Sequence, residues 1–170
     1  AGTAQLSELQ YAALNYHQVL TSEGLTVFAD TSYSQGAPGT APLQALNFNT
    51  QSLTGDIGLS YPVIRSREEN VTLSALAFFS DNEGEMLGAP SSDDKLRGVR
   101  VKADFDYADN KDGITQISTT LSHGIEGLGS TQNGSLLASR ENGRVDFTTL
   151  DASINRTQGL GKGWSLFGAA

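Results

Sequence analysis

Ser52-Leu53-Thr54-Gly55-Asp56-Ile57-Gly58-Leu59-Ser60-Tyr61-Pro62-Val63 is the stretch that decides the fold of this 170-residue chain. Leu53, Gly55, Ile57, Leu59, Tyr61 and Val63 fall on one side of an extended backbone. Thr54, Asp56, Gly58 and Ser60 fall on the other, and Pro62 sits near the strand end. Successive side chains of a strand point to opposite faces, so this is one apolar and one polar surface. Val99, Val101, Ala103, Phe105 and Tyr107 repeat the pattern against Arg100, Lys102, Asp104 and Asp106. A helix would spread those charges around its circumference, whereas a strand gathers them on one side.

Working outward, the same period of two predicts strands over Leu9–Leu20, Leu25–Ser34, Asn70–Ser80, Ile114–Gly124, Val145–Gln158 and from Gly163 onward. Leu25, Val27, Ala29 and Tyr33 share one face, as do Val71, Leu73, Ala75, Ala77 and Phe79. Leu76 and Phe78 interrupt the latter strand's polar side. Leu150, Ala152 and Ile154 oppose Asp151, Ser153 and Asn155. No stretch has helical spacing with caps.

The connections separate into two kinds. Thr21–Gly24, Ser66–Glu69, Asn110–Gly113 and Gly159–Lys162 are short, polar and mostly Gly-containing, as tight hairpins require. Gln35–Gln51, Asp81–Lys95 and Ile125–Arg144 read as long loops. Short and long alternate along the chain, which predicts an all-β, antiparallel, up-and-down transmembrane β-barrel with tight turns at one end and extended loops at the other. Strands of about ten residues suit a tilted membrane strand. Tyr16, Tyr61, Tyr107 and Trp164 fall beside the short turns, and Tyr33 and Phe79 on the outward face beside the long loops. Such rings are expected to form belts at the two membrane interfaces. Asp56, Arg100, Lys102, Asp104, Asp106, Asp151 and Asn155 are then expected to line the lumen. In a soluble sandwich they would be the solvated face of each sheet.

Composition narrows the functional classes. The formal net charge is −8, with basic residues scattered, so no nucleic-acid footprint is expected. Hydrophobic residues are 38% and charged residues 18%, lean for a soluble core yet too regular for disorder. Without cysteine there is no disulfide framework or thiolate metal site. No apolar run reaches the length of a transmembrane helix. Ala1-Gly2-Thr3-Ala4 has neither basic flank nor apolar run, so any signal peptide is expected outside this chain.

Catalytic chemistry is not expected. His17 and His123 sit in no nucleophile or metal spacing. Ser60 lacks the second glycine of a nucleophile elbow. Gly159-Leu160-Gly161-Lys162-Gly163 lacks phosphate-loop spacing. Asp104, Asp106, Asp109 and Asp112 miss the calcium-loop pattern, and alternating charges running into a hairpin account for them. Asp81, Glu83, Glu85, Asp93 and Asp94 read as a solvated acidic loop. No cofactor or metal is expected.

Gly58–Asn70, as Gly-Leu-Ser-Tyr-Pro-Val-Ile-Arg-Ser-Arg-Glu-Glu-Asn, resembles the strand–turn–strand of the two-partner-secretion transporters, the TpsB or hemolysin secretion/activation family. Ser92-Asp93-Asp94-Lys95-Leu96-Arg97 resembles it too, as does the strand ending Asp104-Phe105-Asp106-Tyr107-Ala108-Asp109. Leu137-Ala138-Ser139-Arg140 and Asp146-Phe147-Thr148 follow in the family's order, so the resemblance runs from about Tyr11 to the end.

The resemblance implies a porin-like protein of the Gram-negative outer membrane, with periplasmic POTRA domains and a 16-stranded barrel that exports one large partner polypeptide, a hemolysin or adhesin. It implies partners in that polypeptide, in outer-membrane lipid and in the rest of the barrel, with no nucleotide or metal driving the step. Residues 1–170 would be a single barrel segment of about half the strands, without the POTRA domains. The family's Arg-Gly-Tyr/Phe motif does not occur here, so only the lumen face carries over, as pathway lining. Trp164–Ala170 barely begins its alternation, which suits a sheet continued by further strands. Two rival expectations stand beside this one: a self-contained eight-stranded outer-membrane barrel of structural or adhesive role, and a soluble all-β binding module.

Overall fold

The computed structural model describes residues 9–37 and 46–170. Eight strands follow one another: β1 (Leu9–Val19), β2 (Thr26–Gly36), β3 (Asn49–Arg65), β4 (Glu69–Met86), β5 (Ala89–Ala108), β6 (Gly113–Gly124), β7 (Thr148–Gly161) and β8 (Trp164–Ala169). They form one sheet in chain order, every neighbour antiparallel. The fold is the all-β up-and-down arrangement that the alternation dictates. The Ala1–Ala4 reading and part of the Gln35–Gln51 connection fall outside the described residues.

The sheet is open. Among the described residues each strand contacts only its chain neighbours, and β8 makes no contact with β1. It is also one layer thick, with Val145 the buried hydrophobic residue among those described. A soluble sandwich would bury one face of each sheet against a second layer, and no such layer exists among the described residues.

Register fixes which residues share a face. Leu53, Ile57, Leu59 and Tyr61 of β3 stand opposite Asp81, Ala77, Ala75 and Leu73 of β4. Ala77, Ala75, Leu73 and Val71 in turn stand opposite Val99, Val101, Ala103 and Phe105 of β5. This apolar face continues through Leu121 and Leu150 to Ile117 and Ile154. Large side chains on it are bare, Ile57 at 59% and Val101 at 53% exposure. We call it the outward face. The opposite, inward face carries Asp56, Arg100, Lys102, Asp104 and Asp106, all half-buried. A cavity of about 540 Å³ on the inward side is bounded by Tyr11 and Asn15 of β1, Arg100 of β5 and Phe147, so the sheet bends around this face.

One connection departs from expectation. Asp81–Lys95 is not a long loop: β4 runs on to Met86, β5 starts at Ala89, and Leu87-Gly88 turns the chain. Leu87 (φ 56°) and Gly88 (φ 76°) are both left-handed, the geometry that a two-residue hairpin of this kind requires. Asp81, Glu83, Glu85, Asp93 and Asp94 therefore sit on paired strands rather than in a solvated loop. The seventh strand likewise begins at Thr148, leaving Val145–Phe147 in the preceding connection.

That connection, residues 125–147, covers what β6 leaves uncovered. β6 ends at Gly124 opposite Gly98, so β5 has a bare edge beyond that point. The amide of Ile125 donates to the Arg97 carbonyl at 2.8 Å, Thr131 to the Lys95 carbonyl at 2.9 Å, and Asp93 to the Leu137 carbonyl at 2.7 Å. An unpaired edge is thereby satisfied by irregular chain.

Candidate functional site: the inward face

All seven residues expected to line a lumen lie on the inward face. Asp56 stands opposite Asp30 of β2 on one side and Phe78 of β4 on the other. Arg100 lays its guanidinium 4.2 Å from the centre of the Phe78 ring and donates from Nε to Ser122 Oγ at 3.1 Å. Lys102 pairs with Asp104 at 2.9 Å, and Asp104 also accepts from Ser118 Oγ at 2.8 Å. Asp106 accepts from Gln116 at 2.9 Å. Asp151 lies opposite Thr120, and Asn155 opposite Gln116. These residues form no single cluster. They are strung across β3, β5 and β7, with most of the charges tied to a neighbour.

Sequence reasoning missed a second set on the same face. His17 Nε2 lies 3.0 Å from both carboxylate oxygens of Asp30. Asp30 and Asp56 are directly opposed like charges, an unfavourable pairing in a sheet that the His17 contact relieves when the ring is protonated. Three phenylalanines lie on glycines of the adjacent strand. A Cβ on Gly58 would come within 2.7 Å of Phe28, on Gly98 within 2.6 Å of Phe78, and on Gly124 within 2.8 Å of Phe147. The signal for Phe78 was visible, as an aromatic out of phase on a polar side, but its glycine partner lies twenty residues on.

The six aromatic residues expected at interfaces lie on the outward face. Tyr16, Tyr61, Tyr107 and Trp164 lie toward the tight turns, and Tyr33 and Phe79 toward the other end. Phe79 is not beside a loop as expected, since it sits inside β4, with the Arg97 guanidinium 5.7 Å from its ring centre. Directly beyond it the outward face turns charged. Arg97 forms a two-pronged pair with Asp81, and Lys95 contacts Asp93 at 3.1 Å and Glu83 at 3.5 Å.

At the tight-turn end Arg156 Nη2 reaches Asp109 Oδ2 at 2.5 Å. Arg156, with the amides of Lys111 and Gly113, holds the Asp109 carboxyl down at about 2. In the long connection Arg144 holds Asp146 well below the usual carboxylate range.

Chemically, the inward face offers alternating charges, hydroxyls and flat rings without a convergent acid–base or ligand set. No protein-family model and no curated protein matches the chain. Among solved structures, CdiB from Escherichia coli superimposes with a TM-score of 0.70 at 13% identity, over 94% of this chain and 30% of that one. The chain thus spans under a third of CdiB, and what the two share is the strand arrangement of a TpsB-like barrel.

Proposed function

We propose that this chain is a wall segment of an outer-membrane β-barrel that exports a large partner polypeptide by two-partner secretion. The observation that carries the reading is the bare apolar band. On β4 it runs from Val71 to Phe79 and on β5 from Val99 to Tyr107, nine residues each, and it stops at Asp81 and Arg97. At about 3.3 Å per residue and a strand tilt near 45°, nine residues match the hydrocarbon height that a membrane strand spans. In water, so large a contiguous apolar surface would aggregate; in lipid it is solvated.

The inward face is then pathway lining, and Asp56, Arg100, Lys102, Asp104, Asp106, Asp151 and Asn155 keep it wet. Between the rims, Asp30, Asp56, Asp104, Asp106 and Asp151 outnumber Arg100 and Lys102, which favours cations in the lumen. The open edges of β1 and β8 call for further strands, because unpaired backbone is not tolerated in lipid. That need speaks against a self-contained eight-stranded barrel. The order of the TpsB-like strings and the fold likeness to CdiB support secretion over simple diffusion. A hemolysin or adhesin is the proposed cargo class, and no nucleotide or metal is required for passage.

The test is to delete the gene in its host, fractionate the cells and follow the large polypeptides of the medium. One such polypeptide should vanish from the medium and return on complementation, with the protein itself in the outer membrane. An unchanged medium would refute export, and recovery in a soluble fraction would refute membrane placement.

A further inference from the structure

The connection after β6 leaves the sheet at the height where the outward face changes from apolar to charged. Its first residues stay on the outward side. Ile125 and Leu128 line a groove of about 570 Å³ with Leu14, Ile57, Phe79 and Val99. Small residues, Ala29 and Ala77, lie low in it, and Arg97 stands at its charged rim. Leu128 reaches this position through a tight turn. Ser130 N donates to the Gly127 carbonyl, and Gly127 N donates to Ser130 Oγ, both at 2.9 Å. Gly127, Leu128 and Gly129 all have positive φ, at 119°, 52° and 83°. That conformation is cheap for glycine and unfavourable for leucine. The turn thus holds a leucine in a costly conformation that leaves it 80% exposed at the lip of an apolar groove.

We propose that Leu128 inserts into the outer leaflet, and that the groove beneath it holds an acyl chain of a membrane lipid. The groove continues the apolar band through Leu14, Ile57 and Val99, with Thr31, Asp30 and Asp56 also in its lining, and the Arg97–Asp81 and Lys95–Asp93 pairs mark the headgroup level just beyond it. An extended membrane strand cannot supply this contact, because the sheet surface there is cut away to Ala29 and Ala77. The turn fills the gap from above. Leu136, in the same connection and 101% exposed, does not line the groove and is placed in water. The inference rests on the outward face meeting lipid.

The experiment uses the complete protein in phosphatidylcholine vesicles whose acyl chains carry bromine, with Trp164→Phe and phenylalanine in place of any tryptophan outside residues 1–170, so that the introduced indole is the one observed. Val101→Trp, Leu128→Trp and Leu136→Trp are compared for quenching by bromine and by aqueous iodide. Leu128→Trp should lose as much emission to bromine as Val101→Trp and be shielded from iodide, whereas Leu136→Trp should respond to iodide alone. If Val101→Trp is quenched by bromine and Leu128→Trp by iodide, the leaflet insertion is overturned while the lipid-facing band stands. If Val101→Trp is itself not quenched by bromine, the band reading falls and the insertion with it.

Discussion

The two halves of β5 share one strand and one antiparallel ladder with β4, yet they obey different chemistry. From Val99 to Tyr107 the outward positions are Val99, Val101, Ala103, Phe105 and Tyr107. From Asp93 to Arg97 they are Asp93, Lys95 and Arg97. Backbone geometry does not change between them, and the outward side chains do. On the proposed membrane reading, alternation of apolar and polar residues is a record of where one face meets an apolar solvent rather than a record of where the strand is. The lower half leaves its apolar side chains bare, whereas the upper half is held together by ion pairs and by the capping connection.

Moving charge across that boundary should have the largest effect. Val101→Arg places a cation inside the apolar band, two residues from its centre at Ala103, at a cost approaching the midplane value of about 2–4 kcal/mol. Urea unfolding of the protein in vesicles should show that loss, whereas Lys102→Ala, one residue on, should unfold as the parent does. Equal midpoints for the two variants would mean that the faces are wrongly assigned. The boundary itself is the next target. A Cβ on Gly98 meets the His123 carbonyl and the Phe78 ring, both at 2.6 Å. Gly98→Ala should cost about 1–3 kcal/mol by overpacking. In that background Phe78→Ala should recover part of the loss, since it removes the yielding partner, and a further drop would contradict the stacked arrangement.

Above the boundary the effects shrink. Arg97→Ala leaves Asp81 without its two-pronged partner and should cost about 1 kcal/mol or less, as partly exposed pairs do. That loss should fall further in high salt, which a urea series at two ionic strengths reads directly. The smallest effect is at the far end, in the β5–β6 turn. Asp109 titrates near 2 when folded, below its ordinary value, so its contribution is full above about pH 4 and disappears as pH falls through about 2. The Gly113 amide shift should titrate in that low range; a midpoint near 4 would mean that the Arg156 contact is not made in solution.

The same contrast explains how much was legible. Strands whose outward side is uniformly apolar announce themselves: Ser52–Val63 and Val99–Tyr107 needed nothing beyond their spacing. β4 beyond Phe79 and β5 before Val99 carry Asp, Glu and Lys on the outward side. They looked like loop because charge on an exposed face carries no period. The seven inward residues were readable as a face, since parity alone assigns them. His17 against Asp30 was not, because that contact depends on the register between β1 and β2, which no local pattern encodes. The rings seated on Gly58, Gly98 and Gly124 were hidden for the same reason.

Every ladder in this sheet joins segments adjacent in sequence, and the longest gap bridged is the one from Gly124 to Thr148. Closing such gaps costs little entropy, since the penalty grows only with the logarithm of loop length. Low average sequence separation between contacts also favours rapid formation. A wall wired in this way can be laid down one hairpin at a time, each new strand annealing to the free rim left by its predecessor. The same rule makes the free rim of β8 a surface on which an incoming strand can anneal without rearranging the seven behind it.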